Sequence, residues 1–324
     1  LTLAVLCGLF FGAAGRSLDS VIAAPHFFDN PFTSIFINEI HYDNIGTDTD
    51  EEIEIAGPAG TNLSGWNILL YNGSDGTVYQ TVLLSGQITN QQNGYGVLSF
   101  QISGIQNGAP DGIALVNASN DVVQFLSYEG IFTATNGAAS GMGSTDIGVN
   151  ENGTEPVGSS LQLSGTGSIY GNFSWVKTTS HSFGSLNTGQ TLADLPPSVS
   201  NTTPTNGAAN VAVDANITIT FSEPVSVIGN WFTVICGTSG AHSVTVTPPA
   251  PPITPAPVSF ILDPDVNFAT DETCVLVIFK DQVTDIDGSP DKMTMDYSFS
   301  FRTVSSTCTP TINASVSAVI INEV

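Results

Sequence analysis

Basic residues are almost missing from this chain. Lys and Arg number 5 in 324 residues, against 29 Asp and Glu, for a formal charge of −24. So acidic a surface repels phosphates, which excludes a basic groove for nucleic acid. The plain reading of such a charge is solubility; the sharper alternative is attraction of divalent cations. Charged residues of either sign make up 10% of the chain, so polarity rests on Asn, Thr, Ser, Gln and 32 Gly. No segment has convincing helical periodicity. Cys-x-x-Cys is absent, and His26, His41, His181 and His242 are scattered without ligand spacing, which argues against zinc. There is no Gly-x-Ser-x-Gly elbow, no P-loop and no dinucleotide fingerprint, so nucleophilic and nucleotide chemistry finds no support.

What remains is β-forming sequence cut by turns. The stretch SIFINEIHYDNIGTDTDEEIEIAG, residues 34–57, sets two β-branched runs around a polar loop. Ile53 and Ile55 alternate with Glu52 and Glu54. That period of two predicts a strand with one buried face and puts Glu52 and Glu54 on the solvent side, so they do not form a glycosidase-like dyad. Turn pairs such as Asn72-Gly73, Asp75-Gly76, Asn93-Gly94 and Asp111-Gly112 punctuate apolar runs at 66–71, 78–84, 96–102, 112–117 and 122–128. Residues 131–160, rich in Gly, Ser, Thr and Asn, read as a long ordered loop, with late strands at 161–163 and 173–176. Short strands at regular spacing predict a sandwich or barrel.

The first half of the chain resembles the lamin tail domain of secreted bacterial proteins. The resemblance rests on residues 34–57, Leu63-Ser-Gly-Trp66, Leu70-Tyr-Asn72, Tyr95-Gly, Pro110-Asp-Gly-Ile-Ala-Leu115, Val123-Gln-Phe-Leu-Ser-Tyr-Glu-Gly130, Ser144-Thr-Asp-Ile-Gly148, Leu161-Gln-Leu163 and Asn187-Thr-Gly189. It covers residues 34–193 and implies an immunoglobulin-like β-sandwich without catalytic residues of its own. In bacteria it also implies a place beside secreted nuclease or phosphatase domains. Leu195-Pro196-Pro197 then breaks the pattern. Pro204-Thr-Asn-Gly207, Val211-Ala-Val213, Ile217-Thr-Ile-Thr-Phe-Ser-Glu-Pro224 and Tyr297-Ser-Phe-Ser-Phe-Arg-Thr303 resemble a bacterial Ig-like domain over residues 196–304. Alternation at Ile217/Ile219 and Phe299/Phe301 predicts strands there independently. The expected fold is therefore all-β, with two tandem immunoglobulin-like sandwiches. The proline-rich insertion at 248–257 reads as an exposed polyproline-like loop.

The ends carry expectations of their own. Residues 1–24 read as a secretory signal, with the apolar run LTLAVLCGLFFGAAG before small residues at Ala23 and Ala24. That run is shorter than the roughly 20 residues that span a bilayer, so the mature protein is expected outside the cell and free of membrane; an uncleaved anchor is the alternative. The chain begins without Met and reads as a fragment at this end. Residues 305–317 read as a linker. At 318–324, Ile320-Ile321-Asn322-Glu323-Val324 echoes Phe36-Ile37-Asn38-Glu39-Ile40, as though a second copy of the first module begins.

Candidate chemistry is confined to cysteines and acidic loops. Cys236 ends one strand-like run, 231–236, and Cys274 opens another, 274–279; in an exported chain the two are expected to form a disulfide with Cα atoms about 4.4–6.8 Å apart. Cys7 belongs to the signal, and Cys308 is left odd. Asp43, Asn44, Asp48 and Asp50 crowd the first loop; Asp285, Asp287 and Asp291 crowd another around Gly288. Calcium takes six to eight such oxygens, although neither loop has EF-hand spacing. Solvated Asp/Asn turns are the competing reading of both. The expected function is that of non-catalytic binding, adhesion and spacer modules in a secreted multidomain protein, with an extracellular or cell-surface ligand. Two alternatives stay open: an accessory region of an extracellular endonuclease or phosphatase, and a structural surface or matrix protein.

Overall fold

The computed structural model describes residues 30–305, except 109, 250–256 and 288–289. The signal segment, Cys308, most of the proline-rich insertion, the linker beyond Ser305 and the echo at 318–324 lie outside the described residues. The fold is nearly all β.

Eleven strands lie before residue 193: Phe36–His41 (β1), Glu52–Pro58 (β2), Asn67–Asn72 (β3), Thr77–Leu83 (β4), Tyr95–Gln101 (β5), Asp111–Val116 (β6), Val122–Tyr128 (β7), Thr145–Asp146 (β8), Ser160–Gly167 (β9), Phe173–Thr178 (β10) and Gln190–Leu192 (β11). They form two sheets. One runs β10-β9-β1-β2-β5, with β11 added in parallel to β9; the other runs β4-β3-β6-β7-β8. Ile37, Ile40, Ile53 and Ile55 of the first sheet meet Ile68, Leu70, Ile113, Leu115 and Leu126 of the second. A bulge in β1 makes this packing possible. Ile37 pairs with Ile55 and Glu39 with Glu54, so Asn38 is the extra residue. The extra residue lets Ile37 and Ile40, three apart in sequence, point to the same side.

Both outer faces of this sandwich are covered as well. Phe36, Ala56, Val97, Leu163, Phe173 and Leu192 pack outside the first sheet. Leu69, Tyr71, Ala114 and Phe125 pack outside the second, under Ala134 and Ala139 from the 131–144 segment. Close approach there demands glycine: a Cβ on Gly112 would lie 2.7 Å from the Phe132 ring and 2.8 Å from the Leu126 carbonyl. Covering both faces corrects one expectation. Glu54 does lie opposite the isoleucines, but it is buried rather than solvated.

Eleven more strands follow: Val199–Thr203 (β12), Ala208–Val211 (β13), Ile217–Phe221 (β14), Val225–Val227 (β15), Phe232–Cys236 (β16), Gly240–Ala241 (β17), Val244–Thr247 (β18), Ser259–Pro264 (β19), Thr273–Ile278 (β20), Val283–Asp285 (β21) and Tyr297–Thr303 (β22). Sheets β12-β14-β19-β18 and β13-β22-β20-β16-β17 face each other, with a β15-β21 ribbon beside them. Their shared core holds Ile217, Ile219, Phe221, Trp231, Phe260, Leu276, Phe299 and Phe301. In β14 and β22 the buried positions alternate with partly or fully exposed ones, as expected for strands with one face packed on a core.

The Cys236–Cys274 disulfide is present. Its Cα atoms stand 3.9 Å apart, closer than expected. The bond joins neighbours within one sheet: Cys236 and Cys274 are directly opposite on β16 and β20. The adjoining pair is hydrogen-bonded through Gly237 N–H and the Thr273 carbonyl. The cysteines therefore occupy a non-hydrogen-bonded position, where facing Cα atoms come closest.

Candidate functional site

Three clusters of polar side chains are built deeply enough to matter. The first lies on the outer face of β1, β2 and β9, beneath the chain from 180 to 190. Glu39 is fully buried. Its Oε1 accepts hydrogen bonds from Ser160 Oγ at 2.6 Å, Gln162 Nε2 at 2.9 Å and Ser182 N at 2.9 Å, while Oε2 accepts from Ser182 Oγ at 2.9 Å. Glu54 accepts from Asn38 Nδ2 at 2.8 Å and from Gly184 N at 2.7 Å. Burial, and then the charge of nearby Glu39, push the Glu54 carboxyl up to about 8 against those two donors. Asn187 and Gln190 bind Asn38 in turn. Each oxygen of the two carboxylates meets a donor, although the buried Gln162 Oε1 does not; the network anchors the 180–190 segment to the sheet and leaves little room for a reactant.

The second cluster is the first loop. Glu151, in the long loop at 131–160, reaches back into it. Its Oε1 lies 2.9 Å from His41 Nδ1, and its Oε2 accepts from the N–H groups of Tyr42 and Asp43 at 2.7 and 3.0 Å. His41 Nε2 faces the Thr49 carbonyl at 3.1 Å. A carbonyl and a carboxylate both accept, so this geometry fits a ring protonated on both nitrogens. Burial pulls His41 down, but the hydrogen bond and charge of Glu151 outweigh it, and the net displacement is upward. Of the four residues singled out for calcium, Asp43 and Asp48 face each other; burial first, then Asp48, push Asp43 up to about 6. Asn44 instead closes the loop. Its Nδ2 donates to the Ile45 and Thr47 carbonyls, and its Oδ1 accepts from Thr49 N. Asp50 is exposed, in the left-handed region at φ 60°. Glu151 escapes a sequence reading because it is a lone acid in a Gly/Asn-rich loop, 110 residues from its His41 partner.

The third cluster sits where the two sandwiches meet. Asp194, Asp285 and Asp287 each bring a carboxylate oxygen within 4.8 Å of the others. Asp194 lies just before the Pro196-Pro197 step, Asp285 ends β21, and Asp287 follows it. Of the acids singled out in this second loop, Asp285 and Asp287 thus come together. Asp291 contributes its backbone N–H, which donates to Asp285 Oδ1 at 2.8 Å; its side chain is exposed, and Asp194 provides the third carboxylate. Ser168 of the first sandwich donates to Asp287 Oδ2 at 2.9 Å. Burial pushes Asp285 up to about 6. Burial and then Asp287 push Glu223 up to about 8. Nothing in sequence spacing points to Asp194 or Glu223; only the fold brings them to β21.

A further group, Cys236, His242 and Glu272, also lies close together, but the Cys236 sulfur is taken by the disulfide and offers no thiolate. Glu272 caps its own loops, accepting from Ala269, Thr238 and Ser239.

Residues 193–303 are similar to the family described as bacterial Ig-like domain. That span covers the second sandwich. An Ig-like domain of this kind is a non-catalytic binding or spacer module. No curated protein matches the chain significantly.

Proposed function

We propose that this chain is a non-catalytic binding and spacer segment of a secreted multidomain protein, presenting its sandwiches to an extracellular or cell-surface ligand. The observation that carries the reading is the Ig-like similarity of residues 193–303, set in series with another β-sandwich. The cross-strand disulfide supports an oxidising compartment, since such bonds persist mainly outside the cytosol. The resemblance of the first sandwich to lamin tail domains of secreted bacterial proteins points the same way. The test is to incubate the purified chain with DNA, RNA, polysaccharide and phosphoester substrates, and in parallel with cells and cell-wall preparations. Saturable surface binding without turnover is the expected result. Hydrolysis that disappears on replacing one acidic residue would overturn the reading in favour of an enzyme.

A further inference from the structure

At the junction cluster a buried carboxylate oxygen lacks a donor, whereas both oxygens of Glu39, Glu54 and Glu151 in the other two clusters have partners. Asp285 is 1% exposed. Its Oδ1 is occupied by the Asp291 N–H, and its Oδ2 has no hydrogen-bond partner. The buried Tyr95 phenol lies beside Ser168 and feels the charges of Asp194, Asp287 and Asp285. The ion pairs of Lys177, Lys292 and Arg302 all go to other acids, Glu155, Asp281 and Asp271. Asp285, Asp287 and the Glu223 carboxyl therefore lie close together, and none of those three ion pairs reaches them. A buried carboxylate oxygen with no donor is costly unless something positive reaches it.

We propose that Asp194, Asp285 and Asp287 form a calcium site that fastens the second sandwich to the first. Opposite ligands on calcium stand about 4.6–5.2 Å apart, twice its usual oxygen distance, against about 4.0–4.2 Å for magnesium. Carboxylate oxygens within 4.8 Å of one another can converge on one ion, and the flexible, partly water-filled coordination that calcium accepts suits a site with two half-exposed ligands. Asp194 and Asp287 are only half-buried, which leaves water as the source of the remaining ligands and gives the ion a way in. Asp194 belongs to the connection, Asp285 and Asp287 to the second sandwich, and Ser168, bound to Asp287, to the first. The ion would thus tie down the one segment of chain that joins the two. The proposal goes beyond the spacer reading, because it concerns how the junction is held whatever the ligand is.

The experiment uses the whole chain, stripped of metal and titrated with calcium chloride. Thermal unfolding is followed in parallel, and terbium emission is excited through tyrosine, since Tyr95 lies beside the site. Calcium at millimolar concentration is expected to raise a melting transition by at least 5 °C and to displace terbium. Asp287→Asn and Asp194→Asn, both at half-exposed positions that leave the buried Asp285 intact, are expected to weaken calcium at least tenfold. Asp263→Asn, exposed on β19, should stay within twofold of the unaltered chain. No calcium response in the unaltered chain overturns the site. So does a response that survives both Asp287→Asn and Asp194→Asn, which would put the ion elsewhere, for example at Asp43 and Asp48. Equal affinity for magnesium overturns the assignment to calcium.

Discussion

The two sandwiches bury their strands in different ways. In the second, one face of β14, β20 and β22 meets the core while the other is largely open, so buried and less buried residues alternate. In the first, β1 is buried at every position and β6 likewise, because loops return over the outer faces. A strand with one wet face can carry Ser or Thr there at little cost. A strand covered on both faces has to match every polar group it places outside, or leave it unsatisfied. The first sandwich therefore carries Asn38, Glu39 and Glu54 on a hidden surface and surrounds them with Gln, Ser and Asn donors. The outer layer there is polar, whereas the second sandwich rests on its apolar core, reinforced by a disulfide.

The largest expected effect tests that contrast in the first sandwich. Glu39→Ala removes the acceptor shared by Ser160, Gln162 and the Ser182 N–H and hydroxyl, and opens a gap beneath the 180–190 segment. Buried donors left without partners cost about 1–3 kcal/mol each. The expected loss is about 5 kcal/mol, read as an early unfolding transition in denaturant. The transitions can be assigned by tryptophan fluorescence, because Trp66 and Trp175 lie in the first sandwich and Trp231 in the second. A loss below about 1 kcal/mol would mean that the network is ornament over an apolar core.

Next comes the disulfide. Cys236 and Cys274 are 38 residues apart, and closing a loop of that length constrains the unfolded chain by about 4 kcal/mol on the chain-entropy estimate. Cys236→Ser or reduction is expected to lower the Trp231 transition by nearly that much and to leave the Trp66 and Trp175 signals in place. If both transitions fall together, the two cores are coupled through the junction more tightly than their separate packing suggests.

The sequence was legible where burial was one-sided. Ile217/Ile219 and Phe299/Phe301 alternate in the string, and they alternate in space. The strands of the first sandwich were also readable from their apolar runs and turns. What could not be read was the fate of the polar residues between them. Alternation places Glu54 opposite Ile53 and Ile55, and that is where it lies, but alternation says nothing about whether a loop 130 residues later will cover that side. Glu151 and Asp194 stayed hidden for the same reason: each acquires its role from a chain segment far away. The acidic loops were visible as composition, but the third carboxylate beside Asp285 and Asp287 was not.

A pH titration sharpens the contrast by a smaller amount. Glu54 titrates near 4.5 in the unfolded chain and about 8 in the fold. A carboxyl displaced upward contributes stability that is complete below the unfolded value and lost as pH rises through the folded one. His41, displaced upward from 6.5, has the same sign: its pairing with Glu151 is at full strength below 6.5 and fades above the folded value. Both groups belong to the first sandwich, so its transition should fall between pH 5 and pH 8.5. The expected size is about 2 kcal/mol, below the nearly 5 kcal/mol that about 1.4 kcal/mol per pH unit would give for Glu54 alone, because the polar shell around it relaxes. Glu54→Gln should flatten most of the slope. A first-sandwich transition that climbs with pH would contradict the assignment of charge in this network.

The smallest effect is expected on the open side of the second sandwich. Ile235 on β16 and Val275 on β20 face each other directly, one residue away from the buried cysteine pair, yet they are 55% and 40% exposed. Each keeps part of its surface in water, so shortening or polarising it removes little burial and creates no cavity. Val275→Thr retains the β-branched shape that suits a strand and places the hydroxyl where water can reach it. Its cost should stay within about 0.5 kcal/mol, the ordinary range for surface substitutions. The matching change in the first sandwich, Ala114→Thr, puts a hydroxyl on an outer face that is fully covered. It should cost several times more, about 2 kcal/mol or above, from overpacking and an unmatched polar group. Denaturant midpoints of the two variants test the point directly. Equal costs would mean that the covering segment over Ala114 yields as readily as solvent, and the difference in burial between the two sandwiches would then have no energetic weight.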